Sequence, residues 1–123
     1  MLSDDREFII FVRENIRSVW ALELLVLLSR NPSRHWQPSE LIRELRANSA
    51  LIQNNLEIFQ RNGLAVSDEN GWYFLPANER LKELTRYLAQ AFQERPVATM
   101  TLVTQADPLQ SSSDAFKFRG DKS

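Results

Sequence analysis

Trp36-Gln37-Pro38-Ser39-Glu40-Leu41-Ile42-Arg43-Glu44-Leu45 and, after a short gap, Ser49-Ala50-Leu51-Ile52-Gln53-Asn54-Asn55-Leu56-Glu57-Ile58-Phe59-Gln60-Arg61-Asn62 read as two short amphipathic helices joined by a tight turn. Gly63 stops the second. Leu64-Ala65-Val66-Ser67 and Trp72-Tyr73-Phe74-Leu75 then flank the polar loop Asp68-Glu69-Asn70-Gly71, the pattern of a β-hairpin. Helix, turn, helix and β-ribbon in that order predict a mainly α fold with a small hairpin wing, a winged helix-turn-helix. Such a layout holds one helix outward on a rigid support, which suits reading DNA or docking a protein.

Local chemistry supports these elements. Pro38 sits at a first helical position, where its missing N–H costs nothing, and Leu41, Ile42 and Leu45 then face inward. Asn48 is the expected cap of the following helix. At about 100° per residue, Ile52, Leu56 and Phe59 share the inward face while Ala50, Asn54, Glu57 and Arg61 lie opposite, with Gln53 at the edge.

Outward from this core stretch, Ser3 or Asp4 can cap a helix over 5–15 that carries Phe8, Phe11 and Val12. Ile9 and Ile10 make it apolar on several faces, so it is expected to need cover from a second subunit. Ser18 caps a helix over 19–30, ended from beyond by Pro32 and ringed by Trp20, Leu22, Leu24, Leu25, Val26, Leu27 and Leu28, as a central buried helix would be. Asn78 caps a long helix from Glu79 to about Glu94, with Leu81, Leu84, Leu88 and Ala91 at helical steps and Tyr87 and Phe92 beside them. Pro96 ends or kinks it. Over 97–104 the β-branched residues favour a strand, but Phe92, Thr99 or Met100, and Val103 continue a helical stripe, and the segment is read as a helical dimerisation arm. The chain thus divides into a dimerisation helix (1–17), the winged domain (18–77), a helical dimerisation region (78–104) and a polar tail (105–123) that carries the aromatic and basic stretch Asp114-Ala115-Phe116-Lys117-Phe118-Arg119.

Composition narrows the function classes. The 123 residues are 43% hydrophobic, enough for a core. With no cysteine and His35 as the one histidine, disulfides and thiolate metal sites are excluded, and no metal or cofactor is expected. Nucleophilic catalysis lacks its usual parts, the carboxylates are spread as solvated charge, and three glycines form no phosphate-cradling loop, so the chain is not read as an enzyme. Trp20, Trp36 and Trp72 are assigned to core packing, and His35 to a surface or capping role. The start Met1-Leu2-Ser3-Asp4-Asp5-Arg6 lacks the basic opening of a secretory signal. The apolar run from Val19 to Leu28 is broken by Glu23 and is too short for a bilayer, which takes ~20 residues. A cytoplasmic protein without a membrane partner is the expectation. The net charge of −1 is unusual for a DNA reader, although only the field at the docking face counts.

Three segments carry a family likeness: Ile16-Arg17-Ser18-Val19-Trp20-Ala21-Leu22-Glu23-Leu24-Leu25, Trp36-Gln37-Pro38-Ser39-Glu40-Leu41, and Asp114-Ala115-Phe116-Lys117-Phe118-Arg119. Through them the chain resembles small bacterial winged-helix regulators of the multiple-antibiotic-resistance-regulator (MarR-like) type, and more closely a proteobacterial group of similar length. The resemblance implies a homodimer whose terminal helices pair, a helix set in the major groove and a wing along the phosphates. The wing tip departs from that pattern, because Asp68 and Glu69 stand where Arg or Lys would meet phosphate.

The residues point to double-stranded DNA as partner. Gln53 and Asn54 can pair bidentately with adenine, Ala50 can pack on a thymine methyl, and Ser49 begins the presented helix. Arg34, Arg43, Arg46 and Arg61 are the candidates for neutralising phosphates. The alternative is a protein-interaction adaptor of the transcription apparatus, with Phe116 and Phe118 as anchors in a partner's pockets. Phe116 has a plainer role open to it, packing back on its own domain or a dimer mate.

Overall fold

Three helices begin in one way: Ser18, Asn48 and Asn78 each stand in extended backbone and accept a hydrogen bond from the amide three residues on, at 3.1, 2.8 and 2.9 Å. They do so in a computed structural model that describes residues 5–105. Its helices are α1 (Asp5–Asn15), α2 (Val19–Arg30), α3 (Pro38–Leu45), α4 (Ser49–Arg61), α5 (Glu79–Glu94) and α6 (Pro96–Gln105). Strands β1 (Ala65–Asp68) and β2 (Gly71–Phe74) form an antiparallel pair between α4 and α5. The fold is a mainly α winged helix-turn-helix with a hairpin wing. The suggested caps of α1, Ser3 and Asp4, lie outside the described residues. Among the described residues no helix is long and apolar enough to cross a membrane.

The wing is tighter than its sequence implies. Asp68 pairs with Gly71, so Glu69 and Asn70 alone make the turn, and the four-residue loop shrinks to two. The reason lies in Asp68, whose carboxylate accepts the Asn70 amide at 2.8 Å and closes the turn locally. Trp36 adds a third edge: it exchanges two backbone hydrogen bonds with Trp72, each 2.7 Å. That backbone passes so near Gly71 that a Cβ there would lie 2.4 Å from the Trp36 carbonyl oxygen.

Helix α2 runs through the core, burying Ala21, Leu22, Leu24, Leu25, Val26 and Leu28. Leu41 of α3, then Ile52, Leu56 and Phe59 of α4, pack into the same cluster, which extends to Leu84 and Leu88 of α5 and Val103 of α6. Arg95 caps α5 and Pro96 opens α6, so the 97–104 segment is helical. Two expectations need correction. Helix α1 finds cover within its own chain: Phe8, Phe11 and Val12 are buried, as is Ile16 just after it, Phe8 meets the Tyr87 ring edge-on at 4.8 Å, and Glu7 pairs with Arg80. Of its apolar residues, Ile10 is left substantially exposed. Trp20 is not a core residue, being 39% exposed, because it falls with Glu23 and Leu27 on the arc of α2 left open when the opposite arc is buried.

Two glycines with positive φ separate two effects. Gly63 (φ 79°) is set mainly by its left-handed backbone, since a Cβ there would press the Ala77 methyl at 3.0 Å and could be relieved by a small shift, whereas Gly71 (φ 131°) also needs its empty Cβ position against the Trp36 backbone. Gly71→Ala should therefore destabilise by ~3 kcal/mol and Gly63→Ala by ~1 kcal/mol in urea unfolding. Equal losses would remove the Trp36 approach as a constraint on the wing.

Candidate nucleic-acid interface

Helix α4 has two unlike sides. Ile52, Leu56 and Phe59 are at most 2% exposed and fix it to the core, joined by the buried Asn55. Ser49, Ala50, Gln53, Asn54, Glu57, Gln60 and Arg61 are all exposed, the alternation expected of a helix seated on one face. Among the described residues nothing covers this polar stripe. The Gln53 amide is engaged locally, since its Nε2 donates to Glu57 Oε2 at 3.1 Å. A base edge would have to take it from that carboxylate.

The turn that sets α4 against α3 runs through Arg46. This residue caps α3 in the left-handed region (φ 56°, ψ 39°), the one non-glycine with positive φ among the described residues, and its N–H donates to the Ile42 carbonyl. A side chain there costs ~1 kcal/mol or more relative to glycine. Arg43 and Arg46 are exposed beside α4, and with Arg61 they form no ion pair among the described residues. Arg34 differs. It stands at the other end of α3, with its guanidinium 3.6 Å over the Trp36 ring and 3.7 Å from Glu40. Exposed as it is, it is held by the domain's own groups. Phe116 and Phe118 lie outside the described residues.

At the wing, one carboxylate is turned inward to the backbone. Asp68 accepts the Asn70 amide and also meets His35 Nδ1 at 3.2 Å, while the His35 ring stacks flat on Tyr73 with centroids 4.0 Å apart. Gln37 Nε2 donates to the Asn70 carbonyl at 3.0 Å. The stretch before α3 is thereby fastened to the hairpin by side chains as well as backbone. Sequence reading assigned His35 no partner here. The available signal was Pro38, which disfavours helical backbone at Gln37 and so leaves the chain just ahead of α3 extended, able to run beside a strand. Asp68 is thus a turn-closing residue, and Glu69 is the wing carboxylate that projects into solvent.

Among the described residues no three His, Asp or Glu side chains converge as metal ligands would. No family model, curated protein or solved structure matches this chain.

The Asn70 hydrogen bond, helped by His35, holds the Asp68 carboxyl below its ordinary pKa of 3.8. A carboxyl lowered by folding adds stability above its unfolded value and loses it as pH falls through the folded one. The Asn70 amide resonance should therefore move on acidification with a midpoint below 3.8. Asp68→Ala should abolish that transition, and a midpoint at or above the ordinary value would show that the carboxylate does not close the turn.

Proposed function

We propose that the protein is a DNA-binding transcriptional regulator of the MarR-like type, a homodimer that sets α4 in the major groove of each half-site. One observation carries this reading: an uncharged stripe, Ser49, Ala50, Gln53 and Asn54, held outward by a buried opposite face and bordered by Arg43, Arg46 and Arg61, which form no ion pair among the described residues. Gln53 and Asn54 would read base edges while the arginines and Ser49 hold phosphates. Ile10 of α1, Tyr87 of α5 and Val97 of α6, 42%, 38% and 72% exposed, support the dimer half of the proposal, as apolar residues on helices that pair in such regulators.

Arg46 adds to it. Backbone strain at a non-glycine residue is held by its surroundings and clusters at functional sites. Here the side chain is a cation at the mouth of the helix-turn-helix, where a phosphate would pass. A protein-docking adaptor is the second reading, favoured by the Gln53–Glu57 hydrogen bond and by Glu69 at the wing tip, which suit a polar protein surface better than phosphate.

Selection from random duplexes should enrich a two-fold symmetric site bound by two chains, with affinity falling steeply as salt rises. Asn54→Ala should weaken the selected site by ~1–3 kcal/mol and relax its sequence preference. No enrichment, or a flat salt response, would decide for the adaptor.

Arg46→Gly separates fold from use. It should raise stability by ~1 kcal/mol through relief of the left-handed strain. It should also weaken duplex binding and reduce the salt slope by about one phosphate contact. A variant that gains stability and binds DNA unchanged would leave the arginine with no phosphate role.

A further inference from the structure

A second surface lies on elements that α4 does not touch. An open trough of about 850 Å³ runs between the C-terminal end of α2, the end of β2 and the length of α5. None of Ser49, Ala50, Gln53, Asn54 or Arg61 lines it. Its wall along α5 reaches from Asn78 to Gln93, about 22 Å at the helical rise. That length matches about seven residues of extended peptide.

The lining has two kinds of chemistry. Leu75, 52% exposed, projects from the end of β2 beside Phe74 and Pro76 as an apolar floor. Arg30, Lys82 and Arg86 stand along the walls, against one lining carboxylate, Glu79. In a chain of net charge −1 this is a local positive excess. Lys82 and Arg86 form no ion pair among the described residues, and the Arg30 guanidinium reaches only the Gln93 amide oxygen, at 3.5 Å.

We propose that this trough docks an acidic, amphipathic segment of a partner protein. Its carboxylates would meet Arg30, Lys82 and Arg86, and its large apolar side chains would cover Leu75 and Pro76. Charge complementarity selects the acidic partner: a basic segment would be repelled by three cations and attracted by one carboxylate. The apolar floor selects a peptide over duplex DNA, because a phosphate backbone satisfies the cations and leaves Leu75 facing charge and water. The proposal stands apart from the reading of α4, since the two surfaces share no lining residue.

The test uses the full chain and a fluorescein-labelled peptide of about twelve residues in which Asp and Glu alternate with Leu and Phe, followed by anisotropy. Saturable binding in the micromolar range is expected. The double variant Lys82→Glu/Arg86→Glu and, separately, Leu75→Ser should each weaken it about tenfold or more. Arg17→Glu, an exposed charge change just ahead of α2 at the end away from the trough, should not. A peptide of the same charge with Ser in place of Leu and Phe should bind about tenfold more weakly, and a short duplex should fail to displace the probe. Absence of saturable binding would overturn the proposal. So would equal binding by the all-polar peptide, displacement by duplex, or indifference to both sets of trough variants. Because Lys82 and Arg86 are exposed, their double variant keeps its fold and decides the matter even if Leu75→Ser does not.

Discussion

The structure turns on two backbone hydrogen bonds between Trp36 and Trp72, each 2.7 Å. They join the connection ahead of α3 to the wing that follows α4, so the helix-turn-helix is clamped at both ends by one short sheet edge. Their geometry brings the Trp36 carbonyl over Gly71, where only glycine leaves room. Pro38 reinforces the clamp from the other side by keeping Gln37 extended and then starting α3 at once. His35 on Tyr73 and Gln37 on Asn70 flank the same bridge. The orientation of α4 is therefore set twice, by its buried face on α2 and by what its neighbours are tied to.

Elements whose cause is local were legible in the sequence. Asn48, Ser18 and Asn78 announce helix starts through hydrogen bonds spanning three residues, and Gly63 announces a stop. The outward stripe of α4 follows from periodicity alone, and Ala50, Asn54, Glu57 and Arg61, with Gln53 at the edge, stand exposed where the count places them. What escaped depends on contacts across long separations. Trp36 and Trp72 pair over a gap that no window of periodicity spans. Helix α1 looked unsupported because its partner Tyr87 lies far along the chain. Trp20 misled for the opposite reason: composition marks it as core, but the buried arc of α2 was already filled by smaller aliphatic side chains.

The charge balance reads differently once positions are known. A net charge of −1 counts Asp68 as a surface anion, yet its carboxylate is committed to the Asn70 amide and to His35. Glu40 likewise faces the Gln37 amide and Arg34, and Glu7 faces Arg80. Arg43, Arg46 and Arg61 near α4, and Lys82 and Arg86 on α5, have no such partners among the described residues. The Glu40–Arg34 and Glu7–Arg80 pairs each remove one cation with one anion, and Asp68 is the carboxylate taken up chiefly by backbone, while these cations face outward. The field a ligand meets is set by the groups left over, not by the sum, which weakens the objection that near-neutrality raises against an anionic partner.

Helix α2 touches both regions where those cations gather. It packs against α4 through the core, and its last turn borders the trough along α5. A rigid central helix under two unrelated surfaces lets each be altered at exposed side chains without disturbing the other's support, because Ile52, Leu56 and Phe59 on one side and Leu84 and Leu88 on another meet a common interior. The same rigidity argues against signalling between the surfaces by a shift of α2. Its buried side chains are close-packed on several sides, and displacing it would open space around Leu22, Leu24 and Leu25 at once. Independent occupancy is the simpler consequence of this packing: two ligands bound at α4 and at the trough would each find their site already formed.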